Sequence, residues 1–130
     1  MSAQTISPLL EPAWLEQHLT EPDLHILDAT VQVKLKPFPH MRSGQRECKR
    51  AHIPRAAFAD LRKLCDPHAP ARTFTMPSAG WLAAGVGRLG VGNDARVVVY
   101  DARESMWAAR LWWMLRAFGF DNAGILNVPD

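Results

Sequence analysis

The sequence predicts an α/β domain with a mainly parallel β-sheet flanked by helices. Segments with strand periodicity alternate along the chain with segments of helical periodicity, as in α/β proteins. The β-branched run Arg96–Tyr100 has no polar alternation after its first residue, which is typical of a strand buried on both faces of a parallel sheet. The apolar residues of the following segment, 106–118, recur at helical spacing.

In the first half of the chain, Pro12 suits the first turn of a helix that runs to His18. Residues 21–23, Glu-Pro-Asp, end that helix, and the apolar residues that follow predict a strand over Leu24–Asp28. Two prolines in the segment 34–43 predict an irregular loop there.

In the second half, Pro77 and Ser78 predict the start of a helix that Gly90 ends. The buried strand Arg96–Tyr100 leads into a polar loop over 101–105. A helix follows over 106–118, with Gly119 as its C-terminal cap, and residues 124–128 have the pattern of one more strand.

Length and composition indicate one globular domain over residues 1–130, with 48% apolar and 22% charged residues. The apolar runs are too short to span a membrane. The first ten residues contain no base and no apolar core of the length found in signal peptides, so we expect a cytoplasmic protein whose two cysteines are free thiols.

Charge is distributed unevenly along the chain. Residues 1–33 contain five acids and no lysine or arginine, whereas residues 34–72 contain ten bases and three acids. A polyanion, a small anion or an acidic neighbour would match the basic block, but we favour a solvated basic face paired partly with the acidic first third. Only Phe38 and Phe58 interleave with the bases, so we expect no nucleic-acid partner.

The loop Asp101, Ala102, Arg103, Glu104 and Ser105 is the first candidate site. Ligands of parallel sheets gather at the carboxyl ends of the strands, and a helix N-terminus offers unpaired N–H groups that bind an anion or lower the pKa of a thiol. Asp101 would compete with an anion for the same donors. The simplest role of Asp101 is therefore to anchor the helix that follows.

Four segments form an ordered series of motifs: AWLEQHLTEPDLHILDAT, AHIPRAAFAD, LAAGVGRLGVGNDARVVVYD and YDARESMWAARLWWMLRAFG. The most specific piece is the Trp112-Trp113 pair in the last of them. Together, over about residues 10–126, the chain resembles the amino-terminal domain of two-domain rhodaneses, the thiosulfate and 3-mercaptopyruvate sulfurtransferases. The resemblance implies a rhodanese fold. It also implies transfer of sulfane sulfur through a cysteine persulfide to acceptors such as cyanide or a thiol, without a metal or organic cofactor.

The resemblance also implies that this chain contains no catalytic residue. Asp101 stands where catalytic rhodanese domains have the persulfide-forming cysteine, so residues 101–105 form a pseudo-active loop and we expect the chain alone to be inactive. The catalytic cysteine of the family lies in a carboxy-terminal rhodanese domain, which is the expected partner. Self-association is the alternative, and small anions are candidate ligands.

Two further positions differ in what the resemblance implies for them. His52 corresponds to a family position near the cleft between the domains, and the alternative is a histidine that caps backbone groups at a strand end. Arg55 stands where the family has glycine, so the turn there lacks glycine's freedom at positive φ.

The resemblance further implies that the last helix of the domain is missing after residue 126. Apolar side chains of the strands at 97–100 and 125–128, with one tryptophan, are then expected to be partly uncovered. Trp112 and Trp113 point about 100° apart on a helix and cannot both face one core.

Three rival hypotheses stay open. A stand-alone thiol enzyme would use Cys48, which has cationic neighbours, or Cys65. A zinc module would use Cys48, His52, Cys65 and His68, which read as C-x3-H-x12-C-x2-H. A non-enzymatic binding or regulatory module would share the fold and differ only in purpose. The sequence does not choose between thiosulfate and 3-mercaptopyruvate.

Overall fold

The structure is a computed structural model that describes residues 6–34, 40–50, 52–70, 73–102 and 105–127. The strands are β1 (Leu9–Leu10), β2 (Leu24–Asp28), β3 (Val31–Lys34), β4 (His40–Ser43), β5 (Ala56–Phe58), β6 (Arg96–Tyr100) and β7 (Ala123–Leu126). The helices are α1 (Pro12–His18), α2 (Gln45–Arg50), α3 (Leu61–Leu64), α4 (Ala79–Gly87) and α5 (Met106–Ala117).

The main sheet has the order β1-β7-β6-β2-β5, and every neighbouring pair in it is parallel. All five residues of β6 are buried, as the β-branched run predicted. The α/β class with a mainly parallel sheet is therefore confirmed.

Helices cover both faces of this sheet, and alternate residues of β6 enter the two cores. On one face, Val97 and Val99 pack with residues of α3, α4 and α5; on the other, Val98 and Tyr100 pack with Leu15 of α1. The first core includes Leu27, Leu61, Leu82, Leu111 and Met114, and the second includes Ile6, Leu10, Leu24, Ile26 and Leu126.

α4 begins after Ser78 as predicted but ends at Gly87, before the Gly90 that was predicted to end it, and α5 ends at Ala117 rather than at residue 118. The Ser78 hydroxyl accepts the Trp81 N–H at 3.1 Å at the start of α4, and Gly90, at φ 94°, makes the left-handed turn that follows this helix. Gly119, at φ 89°, does the same after α5.

The prediction of an irregular loop over residues 34–43 is wrong for the residues at the two ends of that segment. β3 and β4 form an antiparallel pair in which Val31 lies opposite Ser43 and Lys34 opposite His40. The two prolines that suggested a loop lie at 37 and 39, within the segment 35–39 that falls outside the described residues. The paired residues therefore retain their N–H donors, which is why the ladder forms.

The expectation that β6 and the last strand are partly uncovered is wrong for most of the residues concerned. The apolar side chains of β6 are at most 6% exposed. Residues of α1 and of the segment before it cover Val98 and Tyr100 on one face of the sheet. Leu126 is buried and Ile125 is half-buried, whereas Val128 lies outside the described residues. Trp113 is 50% exposed, so one tryptophan is uncovered as expected. The absence of a final helix stays a prediction.

At the amino end of β6, a buried arginine forms ion pairs with two acidic residues. Arg96 is 4% exposed, and its guanidinium donates two hydrogen bonds to the Asp23 carboxylate at 2.7 and 2.9 Å and a further one to Glu21. This pairing holds the pKa of Asp23 below its ordinary value. The acidic first third of the chain thus supplies the partners of a buried cation.

In the part of the chain that the structure describes, no helix is long and apolar enough to cross a membrane. The cytoplasmic location stays a prediction.

We expect Gly124→Ala to destabilise the domain. A Cβ at residue 124 would lie 2.8 Å from Leu10 Cδ1 and still closer to the Ser7 carbonyl oxygen, so β1 must move away from β7. Overpacking of this kind costs about 1–3 kcal/mol. The free energy of unfolding in denaturant measures it. Gly80→Ala is the control: beyond its chain neighbours and the backbone of α4, no atom lies within 4 Å of a Cβ there, so this helical substitution is not expected to destabilise. Equal stability of Gly124→Ala and the wild type would contradict the close approach.

Candidate functional site

The Asp101 carboxylate caps the start of α5. Its side chain is fully buried, Oδ1 accepts the Ser105 N–H at 3.1 Å, and Oδ2 accepts the Ala108 N–H at 2.9 Å. Ser105 occupies the N-cap position at φ 64°, but its hydroxyl makes no capping hydrogen bond. The side chain of Asp101 therefore satisfies helix donors that an N-cap residue usually satisfies. Arg103 and Glu104 of the predicted loop lie outside the described residues.

A second buried carboxylate, Asp28, lies at the end of the neighbouring strand β2. Its Oδ1 accepts hydrogen bonds from the Thr30 N–H at 2.9 Å and from the Thr30 hydroxyl at 2.5 Å. The same hydroxyl oxygen accepts the Ala102 N–H at 2.9 Å. Thr30 thus joins the end of β2 to the loop that follows β6, and sequence analysis did not single out either Asp28 or Thr30.

Three backbone donors among the described residues of this loop and of the first turn of α5 are engaged by the chain itself. The N–H groups of Ala102, Ser105 and Ala108 bind Thr30 or Asp101. A loop before a helix is a place where an external anion or a thiolate would find donors. Here the Asp101 carboxylate accepts two of these three N–H groups, those of Ser105 and Ala108.

Cys48 lies beside this cluster and is a poor nucleophile. Its side chain is buried, and burial, followed by the negative charge of Asp28, raises the pKa of the thiol to about 11. At neutral pH roughly one molecule in ten thousand then carries the thiolate. Because the thiolate is the reactive form, the cationic sequence neighbours of Cys48 do not activate it.

Cys65 is also buried, at 3% exposure, and packs in the core on the α3–α5 face of the sheet. Burial raises the pKa of its thiol, and the nearby Arg110 only partly opposes this. Both cysteines are free. Neither lies in the loop that begins α5.

His52 is exposed, and its tautomer is fixed by a backbone contact. Nδ1 lies 2.6 Å from the Cys48 carbonyl oxygen, which only accepts hydrogen bonds, so the neutral ring carries its proton on Nδ1. Nε2 keeps its lone pair. Both interpretations of His52 remain compatible with this geometry, since the ring caps a backbone group with one nitrogen and leaves the other available.

Tyr100 connects the His52 segment to the Asp101 loop. Its hydroxyl oxygen accepts the Ile53 N–H at 3.2 Å. Burial raises the pKa of Tyr100 above its ordinary value, so the hydroxyl stays protonated. Tyr100 precedes Asp101 and Ile53 follows His52, so one hydrogen bond ties the two candidate segments together.

The structure does not assemble the zinc site of the rival hypothesis. Among the described residues, no group of three or more His, Cys, Asp or Glu side chains is placed to hold a metal ion. Cys65 packs in the core on one face of the sheet, whereas the thiol of Cys48 lies beside Asp28. The spacing C-x3-H-x12-C-x2-H therefore has no counterpart in space.

These features define a class of protein: a parallel α/β domain whose central strand runs into a short donor-rich loop at the start of a long helix. Residues 11–128 match the rhodanese-like domain family, and the chain belongs to that family.

The chain is similar to several sulfurtransferases. It is 39% identical over 131 residues to thiosulfate/3-mercaptopyruvate sulfurtransferase 1, mitochondrial, of Arabidopsis thaliana, covering 97% of this chain and 32% of that protein. It is 34% identical over 114 residues to the 3-mercaptopyruvate sulfurtransferase of Escherichia coli strain K12, covering 88% of this chain and 39% of that protein. The chain thus spans about a third of the length of the curated relatives that it matches.

A solved structure confirms the rhodanese fold. The crystal structure of the 3-mercaptopyruvate sulfotransferase SseA from Escherichia coli matches with a TM-score of 0.78 and 31% identity, over 94% of this chain and 45% of that one. The resemblance noted in the sequence motifs is therefore confirmed for both fold and family.

We expect Asp101→Ala to lower the free energy of unfolding by about 2 kcal/mol, because the N–H groups of Ser105 and Ala108 lose their acceptors while remaining buried or half-buried. Denaturant unfolding measures this loss. Asp101→Asn keeps one side-chain oxygen as an acceptor and is expected to fall between Asp101→Ala and the wild type. If Asp101→Ala is as stable as the wild type, the carboxylate does not anchor α5.

Proposed function

We propose that the chain is the non-catalytic rhodanese domain of a two-domain thiosulfate/3-mercaptopyruvate sulfurtransferase, and that it transfers no sulfur by itself. One observation carries the proposal. At the position that the family resemblance assigns to the persulfide-forming cysteine, this chain has a buried carboxylate that accepts the loop's own N–H groups.

The chemistry of sulfur transfer is the reason why this observation supports the proposal. A thiolate attacks the transferable sulfur of the donor, and a sulfur–sulfur bond forms as the bond from that sulfur to the rest of the donor breaks. The rest of the donor leaves with the electron pair of the broken bond, as sulfite from thiosulfate or as the enolate of pyruvate from 3-mercaptopyruvate. The persulfide then passes the sulfur to an acceptor. A carboxylate has no sulfur atom on which to store the transferred one, and Asp101 also takes donors that would stabilise the negative sulfur.

The two thiols of the chain do not replace the missing nucleophile. Cys48 has a pKa of about 11 and lies beside a carboxylate, and Cys65 is packed in the core. A sulfur-transfer cysteine needs access to a donor and a large thiolate fraction at neutral pH. These two positions offer neither, which argues against the stand-alone thiol enzyme.

An exposed strip of α5 supports a partner of the proposed kind. Met106 is 51% exposed and Trp113 is 50% exposed, and the two lie seven residues apart on one side of the helix. The Arg110 guanidinium lies 5.2 Å from the centre of the Trp113 ring. We name Met106, Arg110 and Trp113 the α5 strip.

The composition of the α5 strip is typical of residues that dominate the binding energy of an interface. The relatives are about three times as long as this chain, so they contain further protein that such a surface would meet. The proposed occupant is a second rhodanese domain, and another copy of this chain is the available substitute when that domain is absent.

We expect the purified chain to transfer no sulfur from thiosulfate or 3-mercaptopyruvate to cyanide above the uncatalysed rate, since Asp101 is not a sulfur nucleophile. Thiocyanate or pyruvate formation measures the activity, and the Escherichia coli relative serves as the positive control. The matched variants Cys48→Ser and Cys65→Ser are expected to change nothing. Turnover that either substitution abolishes would overturn the proposal in favour of a thiol enzyme.

We expect the isolated chain to self-associate through the α5 strip, because burying an exposed tryptophan and methionine removes apolar area from water. Sedimentation velocity at increasing protein concentration measures this association. Trp113→Glu is expected to give a monomer. Leu9→Glu changes a side chain that is 57% exposed on β1 and does not belong to the α5 strip, and it is the control expected to associate normally. A wild-type chain that stays monomeric throughout would contradict the role of the strip.

A further inference from the structure

Residues 53–56 form a tight turn with a non-glycine residue in a left-handed conformation. The Ala56 N–H donates to the Ile53 carbonyl oxygen at 2.9 Å, and Arg55 has φ 72°. Pro54 fixes its own φ at a negative value, and a turn with negative φ followed by positive φ at the central residues is type II. The second central position of this turn favours glycine, because a Cβ there crowds the backbone.

The side chain of Arg55 makes contacts that glycine cannot make. Its Nη1 donates to the Leu19 carbonyl oxygen, and the same nitrogen lies 3.4 Å from the Glu21 carbonyl oxygen. Leu19 is the C-cap residue of α1, where carbonyl oxygens have no partner within the helix and a cation is favoured. The guanidinium therefore ties the turn to the connection between α1 and β2.

Two contacts, one made by the turn and one by the residue before it, link this segment to the candidate site. The Ile53 N–H donates to the Tyr100 hydroxyl, and His52 directly precedes the turn with its Nδ1 at the Cys48 carbonyl oxygen. Movement of the turn away from α1 would loosen both contacts. The strained conformation of Arg55 is thus compensated by bonds that fix the position of the segment.

We propose that Arg55 is a positioning residue: by tying the turn to the end of α1, it holds Ile53 against Tyr100 and keeps the His52 ring in the Nδ1–H tautomer. The inference rests on the proposed function only in taking His52 to face a partner domain. The positioning itself depends on contacts within this chain.

Three substitutions separate the effect of the Arg55 guanidinium hydrogen bonds from the effect of the strained backbone conformation at residue 55. Arg55→Gly removes both the guanidinium bonds and the strained Cβ, Arg55→Ala removes the bonds and keeps the strain, and Arg55→Lys keeps a cation of similar reach. Arg88→Gly is the matched control, since Arg88 is an exposed arginine with φ −64° next to α4. Two measurements report on position: hydrogen exchange of the Ile53 amide, and the ring nitrogen chemical shifts of His52.

We expect the Ile53 amide to exchange about tenfold faster in Arg55→Gly, the consequence of losing a charge-assisted hydrogen bond that opposes local opening. We also expect the Nε2–H tautomer of His52 to appear in that variant. Exchange is expected to be faster still in Arg55→Ala, intermediate in Arg55→Lys and unchanged in Arg88→Gly. Amides at the centre of β6 exchange as in the wild type if the effect is local.

Unchanged Ile53 exchange together with an unchanged His52 tautomer in Arg55→Gly would overturn the proposal. If Arg55→Gly does not fold, Arg55→Lys decides the matter by the same two readouts. Sulfur transfer by the chain would overturn the proposed function and leave these readouts unaffected, so the two failures are distinguishable.

Discussion

Two buried carboxylates at the ends of adjacent parallel strands constrain the candidate site of this domain. A buried charge is costly unless hydrogen-bond donors surround it, and here the nearest donors belong to the segments that follow the strands. Asp28 takes the N–H and hydroxyl of Thr30, and Asp101 takes N–H groups from the first turn of α5. These hydrogen bonds join the described residues that follow β2 and β6 to the ends of the two strands.

Thr30 makes the two requirements interdependent. Its hydroxyl donates its proton to Asp28 and accepts the Ala102 N–H with its oxygen, so one side chain is bonded both to the end of β2 and to the segment that follows β6. A change at the end of β2 is thus felt at the start of the loop that leads to α5.

The elements that sequence analysis predicted well are those whose signals are local. α1, β2 and β6 have the predicted bounds, because a proline at the first turn and an unbroken apolar run act within one segment. The β3–β4 pair was missed, because its partners lie on either side of a segment with two prolines. Short elements such as β5 and α3, with three and four residues, are too short to show a clear periodicity.

For the candidate site, the sequence predicted the loop and the special position of Asp101, but it did not predict the Asp28–Thr30 contact. Ala102 and Thr30 are 72 residues apart, and their meeting depends on β2 and β6 being neighbours in the sheet. Neither segment contains a sequence signal for the order of the strands in the sheet. The acid at the end of β2 was a usable signal, because side chains at the carboxyl ends of parallel strands converge on one edge.

Two environments with opposite effects on a thiol lie at this edge of the sheet, and Cys48 lies in the one that raises the pKa of a thiol. The start of α5 offers backbone donors and the positive end of a helix, which would lower the pKa of a thiol, and it holds the Asp101 carboxylate. The region around Asp28 has a buried negative charge, which raises the pKa of a thiol, and it holds Cys48. A reactive thiol in this framework would need to stand at residue 101, because additional basic residues near Cys48 would not remove the negative charge of Asp28. In the function proposed above, the catalytic thiol is supplied by another domain, and this chain supplies a loop whose Ser105 N–H, with that of Ala108 in α5, is bound by the Asp101 carboxylate.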